Sequence, residues 1–163
     1  MHRPYGTARY GELLRNIKSQ LPDIAITTDI IVGFPGETEE DFVETMRFAE
    51  ECGFAKMHIF PYSKRKGTPA EKMPNQIIEA VKEERAARLG ALDEKMFHAC
   101  LEKAVGSESE VLFEQPVDDE YIEGLISSYQ RVIVKAPVNL CGEIAKVKIV
   151  GVQEDFLVGE LAE

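Results

Sequence analysis

The sequence predicts an α/β protein: a partial parallel (β/α) barrel segment with a long connecting helix over residues 1–105, then a small antiparallel β-barrel over 106–163. Three observations predict it. Before Gly106, β-branched and nearly uncharged runs alternate with runs of helical periodicity. After it, short apolar runs recur with turn residues between them. The charge changes at the same place: residues 1–105 hold 15 Lys and Arg against 17 Asp and Glu, whereas 106–163 hold 4 against 12.

The elements follow in order. Residues 7–20, TARYGELLRNIKSQ, set Tyr10, Leu13, Leu14 and Ile17 at helical spacing, with Leu21 continuing the stripe and Pro22 as a stop. IAITTDIIV then reads as a strand covered on both faces, as parallel strands are. Thr38 caps the next helix, the acids Glu39, Glu40 and Asp41 suit the positive end of its dipole, and Gly53 supplies a left-handed ending. A second strand, 55–60, leads into the loop PYSKRKGTPAEKMP. Asn75 opens a long helix to about Ala104, with Ile78, Val81, Leu89, Leu92, Met96 and Cys100 as its buried stripe. Two parallel strands complete neither an open sheet nor a barrel, so the region reads as part of a larger barrel. The five later strands fall at 110–114, 121–126, 129–134, 143–150 and 156–161.

Composition narrows the function. The net charge of −10 opposes broad, charge-driven affinity for nucleic acid and leaves room only for local RNA contacts; DNA is not expected as a partner. No apolar run spans a membrane and the amino-terminal stretch lacks the apolar core of a signal peptide, so the cytoplasm is the expected location, with no membrane partner. Cys52, Cys100 and Cys141 lie too far apart in sequence for a zinc, disulfide or iron-sulfur motif, so no metal site is expected and the three read as reduced thiols.

The most informative stretch is Asp29–Phe42, DIIVGFPGETEEDF, where a strand enters a helix through a loop with two glycines and a proline. Loops at the carboxyl ends of parallel strands form ligand sites in α/β folds. Gly33 and Gly36 would let backbone approach a flat or phosphate-bearing ligand, with Pro35 stiffening the path. A glycine turn that only reverses the chain is the other reading. The loop has neither the Lys of a P-loop nor the spacing of a dinucleotide fingerprint. Asp29, amid apolar neighbours, should face a barrel lumen or bond a hydroxyl such as that of Thr27. His58 reads as an ordinary strand residue.

TTDIIVGFPGETEEDF followed by HIFPYSKRKGTPAEKMP resembles the late half of the radical S-adenosylmethionine methylthiotransferases. MHRPY, KEERAARLGAL and GSESEVLFE extend the likeness to that family's Met-x-Arg segment, connecting helix and terminal TRAM domain, an RNA-binding barrel. Tyr121–Gly124 and Ser128–Val132 carry a weaker match. The family holds one 4Fe-4S cluster by a CxxxCxxC motif and a second in an amino-terminal domain, and installs a sulfur and a methyl group on its substrate. None of those six cysteines is in this sequence, so the resemblance implies a carboxyl-terminal fragment that is catalytically inactive alone, with no catalytic residue and no bound cofactor of its own.

The resemblance also implies site residues. Ile31, Gly33, Phe34, Pro35, Gly36 and Glu37 would lie near the adenine of S-adenosylmethionine, and Phe60, Pro61, Tyr62 and Ser63 would line the next strand end. Arg3 and Arg65 are candidates for a cofactor carboxylate or RNA phosphate. Arg131, Lys135, Lys146 and Lys148 would form one basic strip for tRNA on the barrel, with Tyr129 stacking on a base. HIFPYS with KRKGTPA looks most like the branch that modifies threonylcarbamoyl-adenosine next to the tRNA anticodon. The alternatives are the branches acting on isopentenyl-adenosine in tRNA or on a ribosomal-protein aspartate, and a non-enzymatic RNA- or protein-binding module.

Overall fold

The computed structural model describes residues 4–162. Arg3 therefore lies outside the described residues. The chain divides into two units, Met1–Phe97 and His98–Glu163, and the division falls inside a helix.

In the first unit, helix α1 (Thr7–Gln20) precedes strand β1 (Thr27–Val32), helix α2 (Glu39–Cys52) and strand β2 (Lys56–Pro61), and the long helix α3 (Glu79–Ala104) begins after a short 3-10 turn at Pro69–Lys72. β1 and β2 pair in parallel, from Thr27 opposite Lys56 to Val32 opposite Pro61, as the sequence leads one to expect. α2 starts as read: the Thr38 hydroxyl accepts from Asp41 N–H, the Asp41 carboxylate accepts from Thr38 N–H, and Gly53 ends the helix at φ 60°.

The core of this unit packs Val32, Met57, Leu14, Phe42, Phe54 and Leu89 against one face of the strand pair. The other face carries the alternate residues Asp29, His58 and Phe60, all exposed. Among the described residues, helices lie against only one side of β1. The start of α3 is also corrected. Asn75 is left-handed at φ 57° and its carbonyl accepts from Gly36 N–H at 2.9 Å, so the helix begins at Glu79 and Ile78 is exposed rather than part of the buried stripe.

In the second unit, the last turns of α3 are followed by β3 (Glu108–Pro116), β4 (Tyr121–Ile126), β5 (Arg131–Lys135), β6 (Ile144–Gln153) and β7 (Phe156–Leu161). They close into a barrel in the order β3-β4-β5-β7-β6. Its interior is filled by Val111, Phe113, Ile122, Val132, Val134, Val147, Ile149 and Leu157, each fully buried. One pairing corrects the antiparallel expectation: β5 runs parallel to β7. A ring of five strands cannot alternate direction throughout, so closure forces one parallel neighbour. Where strands approach most closely there is glycine: a Cβ on Gly124 would sit 2.3 Å from the Leu112 carbonyl oxygen, and one on Gly159 2.3 Å from Val147 Cγ1. At the end of α3, Cys100 Sγ accepts from Gln130 Nε2 at 3.2 Å.

Candidate functional site

The carboxyl ends of β1 and β2 and the loops that follow them border an open groove of about 940 Å3. Ile31, Phe34, Phe60, Pro61, Tyr62, Ser63 and Arg65 all line it, so seven residues singled out from sequence converge on one concavity. Asp29 joins them from the exposed face of β1, and Met73 and Pro69 come from the far side of the basic loop. Phe34 meets Tyr62 edge to face with centroids 5.2 Å apart, and Phe60 is 51% exposed, a large apolar surface held open at a strand end. The Tyr62 hydroxyl is buried and has no hydrogen-bond partner among the described residues.

Gly33, Pro35, Gly36 and Glu37 do not border the groove. A Cβ at Gly33 would lie 2.4 Å from Cγ of Lys82, at φ 71°. A side chain at Gly33 would therefore meet the stem of a lysine on α3. Gly36, at φ 87°, has open space at its Cβ position.

Glu37 is tied inward. One carboxylate oxygen accepts from Gly33 N–H at 2.7 Å and from Arg85 Nη1 at 2.6 Å, and Arg85 is only 4% exposed. This buried, charge-assisted pair pins the loop to α3. Arg85 also lies over the Phe42 ring at 5.5 Å. A similar tie holds β2: Asp93 Oδ1 accepts from Met57 N–H at 2.7 Å and Oδ2 pairs with Lys56.

Arg85 and Asp93 do not show in the apolar stripe of the sequence, because their polar ends reach loop and strand partners distant in sequence. Lys82 lies on α3 as well, its ammonium 3.0 Å from Glu79 on its own helix and 5.8 Å from the Tyr62 ring centre.

The barrel does not present the single basic strip expected from sequence. Arg131 and Lys135 lie on β5, Lys146 and Lys148 on β6, and β7 stands between those strands. Arg131 pairs with Asp155 at 2.9 Å, and Lys135 with Glu120 at 3.1 Å, raising the Lys135 ammonium above its ordinary range through that hydrogen bond and charge. Lys146 and Lys148 stand opposite Glu110 and Glu108 on β3. Arg131 and Lys135 are thus ion-paired with turn acids, and Lys146 and Lys148 each have an acid directly across the ladder. Tyr129 is not a strand residue: it sits in the β4–β5 turn at φ 61°, 85% exposed.

The three cysteines do not fit an iron-sulfur cluster. Cys52 is buried in the first unit, where burial pushes its thiol up, and Cys100 and Cys141 belong to the second. Among the described residues no three His, Cys, Asp or Glu side chains are grouped to hold a metal ion, and no described helix is long and apolar enough to cross a membrane.

The architecture defines an α/β unit with a groove beyond its strand ends, followed by a small closed β-barrel. By sequence the chain belongs to the radical S-adenosylmethionine methylthiotransferase family. It is 42% identical to the threonylcarbamoyladenosine tRNA methylthiotransferase MtaB of Bacillus subtilis (strain 168), over 91% of this chain and 34% of that protein. It is 40% identical to the tRNA-2-methylthio-N(6)-dimethylallyladenosine synthase of Clostridium perfringens (strain SM101), over 100% of this chain and 37% of that protein. The synthase of the same name from Thermoanaerobacter sp. (strain X514) is 42% identical, over 100% of this chain and 35% of its own. No protein-family model matches the chain. The chain spans about a third of the length of the curated relatives it matches.

Proposed function

We propose that the chain is part of a tRNA methylthiotransferase that acts on threonylcarbamoyl-adenosine next to the anticodon, and that its first unit forms one wall of the S-adenosylmethionine site within a larger parallel barrel. The observation that carries this reading is the groove, which gathers Ile31, Phe34 and Phe60 as flat apolar surface at the strand ends. An adenine ring needs such surface together with nearby backbone hydrogen-bonding groups, and the outer edge of β2, which has no partner strand among the described residues, offers them beside Phe60.

In this reading S-adenosylmethionine supplies the reactive carbon–sulfur bond, and the residues here bind and orient it. Gly33 and Glu37 act indirectly, by fixing the loop that carries Phe34. Among the described residues no cluster-ligating group is assembled, and the chain alone is expected to be inactive. The alternative branch acting on dimethylallyl-adenosine rests on the equal 42% identity to relatives of both names.

The test is genetic and chemical. The gene carrying this chain, in its full reading frame, is introduced into a bacterium lacking tRNA methylthiolation, and the tRNA nucleosides are separated and weighed by mass spectrometry. The 2-methylthio derivative of threonylcarbamoyl-adenosine is expected. A derivative of dimethylallyl-adenosine in its place overturns the substrate, and unmodified tRNA overturns the reading as a whole.

A further inference from the structure

The loop after β2 is the basic exception in an acidic chain. Residues 61–73 hold Lys64, Arg65, Lys66 and Lys72 against one carboxylate, Glu71, whereas the whole chain has net charge −10. All four cations are exposed. Among the described residues no acid lies within the 4.0 Å of an ion pair from any of them. Glu71 is occupied elsewhere, accepting from Gly67 N–H at 2.8 Å.

The loop is braced as well as charged. The Thr68 hydroxyl and N–H both donate to the Arg65 carbonyl, at 2.8 and 3.2 Å, and Glu71 N–H donates to the Thr68 carbonyl at 3.2 Å. A braced loop that carries unpaired cations has little ordering entropy left to lose when it meets an anion. Arg65 and Met73 both border the groove, and Met73 is 40% exposed.

We propose that Lys64, Arg65 and Lys66 form an RNA-phosphate lip on the groove. They hold the backbone of a single-stranded nucleotide segment while its base enters beside Met73. This rests on the tRNA reading above and moves the phosphate contact from the barrel cations, which face acids, to this loop. Single-stranded RNA fits the arrangement because its bases splay out from a charged backbone, so cations at a rim and apolar surface within the groove address the two parts separately.

The test measures binding of a fluorescent single-stranded anticodon-loop RNA to the 163-residue chain by anisotropy across a salt series. Each phosphate neutralised on a single strand adds about 0.7 to the slope of log affinity against log salt. Lys64→Ala/Arg65→Ala/Lys66→Ala is therefore expected to flatten that slope by about 2 and to weaken binding about tenfold or more at low salt. Lys146→Ala/Lys148→Ala is expected to keep the parent slope. A triple variant with the parent slope, or a barrel variant that takes the loss instead, overturns the lip and leaves the tRNA reading standing. So does a parent chain that binds no RNA while the gene still restores methylthiolation in cells. A circular-dichroism melt of the triple variant matching the parent assigns any lost affinity to the cations and not to unfolding.

Discussion

The two units solve the same problem differently. In the barrel every strand has a neighbour on both edges, so five short strands complete their own hydrogen bonding and enclose their own core. In the α/β unit two strands have outer edges with no described partner and a face that carries exposed Asp29, His58 and Phe60. The closed unit spends its apolar residues on itself, while the open one keeps some facing outward, and the groove bearing the singled-out residues is in the open one. Exposed apolar surface at strand ends is what a binding site needs and what a stability-driven core avoids.

Two phenylalanines test that contrast most directly. Phe113 is fully buried in the barrel and Phe60 is 51% exposed at the groove. Phe113→Ala leaves a cavity among Val111, Ile122 and their neighbours and is expected to lower stability by about 3–5 kcal/mol. Phe60→Ala is expected to stay within about 0.5 kcal/mol. Urea unfolding followed by circular dichroism checks both. A large loss at Phe60 would mean that the open face is packed in solution and would erase the distinction.

The loop glycines sharpen the comparison inside the open unit. Gly33→Val places a side chain against the Lys82 stem at a positive φ, with an expected loss of about 3 kcal/mol. Gly36→Ala meets no atom and carries only the backbone cost of its positive φ, about 1 kcal/mol. Equal losses in thermal melts would show that φ alone matters and that α3 does not press on the loop. On sequence alone Gly33→Val would be expected to weaken cofactor affinity in a folded protein; the Lys82 contact turns it into a folding substitution.

That reversal shows where sequence is legible. The span of α1 from Thr7 to Gln20 follows from its periodicity, although Leu13 and Leu21 of the expected stripe are exposed; the α2 caps follow from Thr38 and Gly53, and the parallel strands and five later strands follow from local pattern, because each depends on residues near in sequence. The convergence on the groove was legible for Ile31, Phe34, Phe60 through Ser63, and Arg65, because loops at parallel strand ends share one side. What sequence hid is long-range: Arg85 reaching Glu37, Asp93 reaching Met57, and the Asn75 carbonyl held by Gly36. Strand order is hidden too. Alternation placed Lys146 and Lys148 on one face, but only the order of the closed ring separates them from Arg131 and Lys135.

The smallest expected effect lies at the capping box, where the open unit is held by purely local contacts. The Thr38 N–H and hydroxyl both donate to Asp41, at 2.9 and 3.0 Å, and chiefly through the backbone bond they hold its carboxyl below the ordinary 3.8. A carboxyl depressed in the folded state adds stability that is present above its unfolded value and lost as pH falls through its folded value. The relevant window is therefore 3.8 and below, with the contribution intact at neutral pH. Asp41→Ala removes it, so the melting temperature of the variant should lie slightly below the parent's at pH 7 and converge with it as the solution is acidified past 3.8. Thr38 still accepts from the residue-41 N–H in the variant, so the difference is small and belongs to the carboxylate. A gap that stays constant through the acid range would assign the effect to helix propensity and not to the charge, because propensity does not titrate.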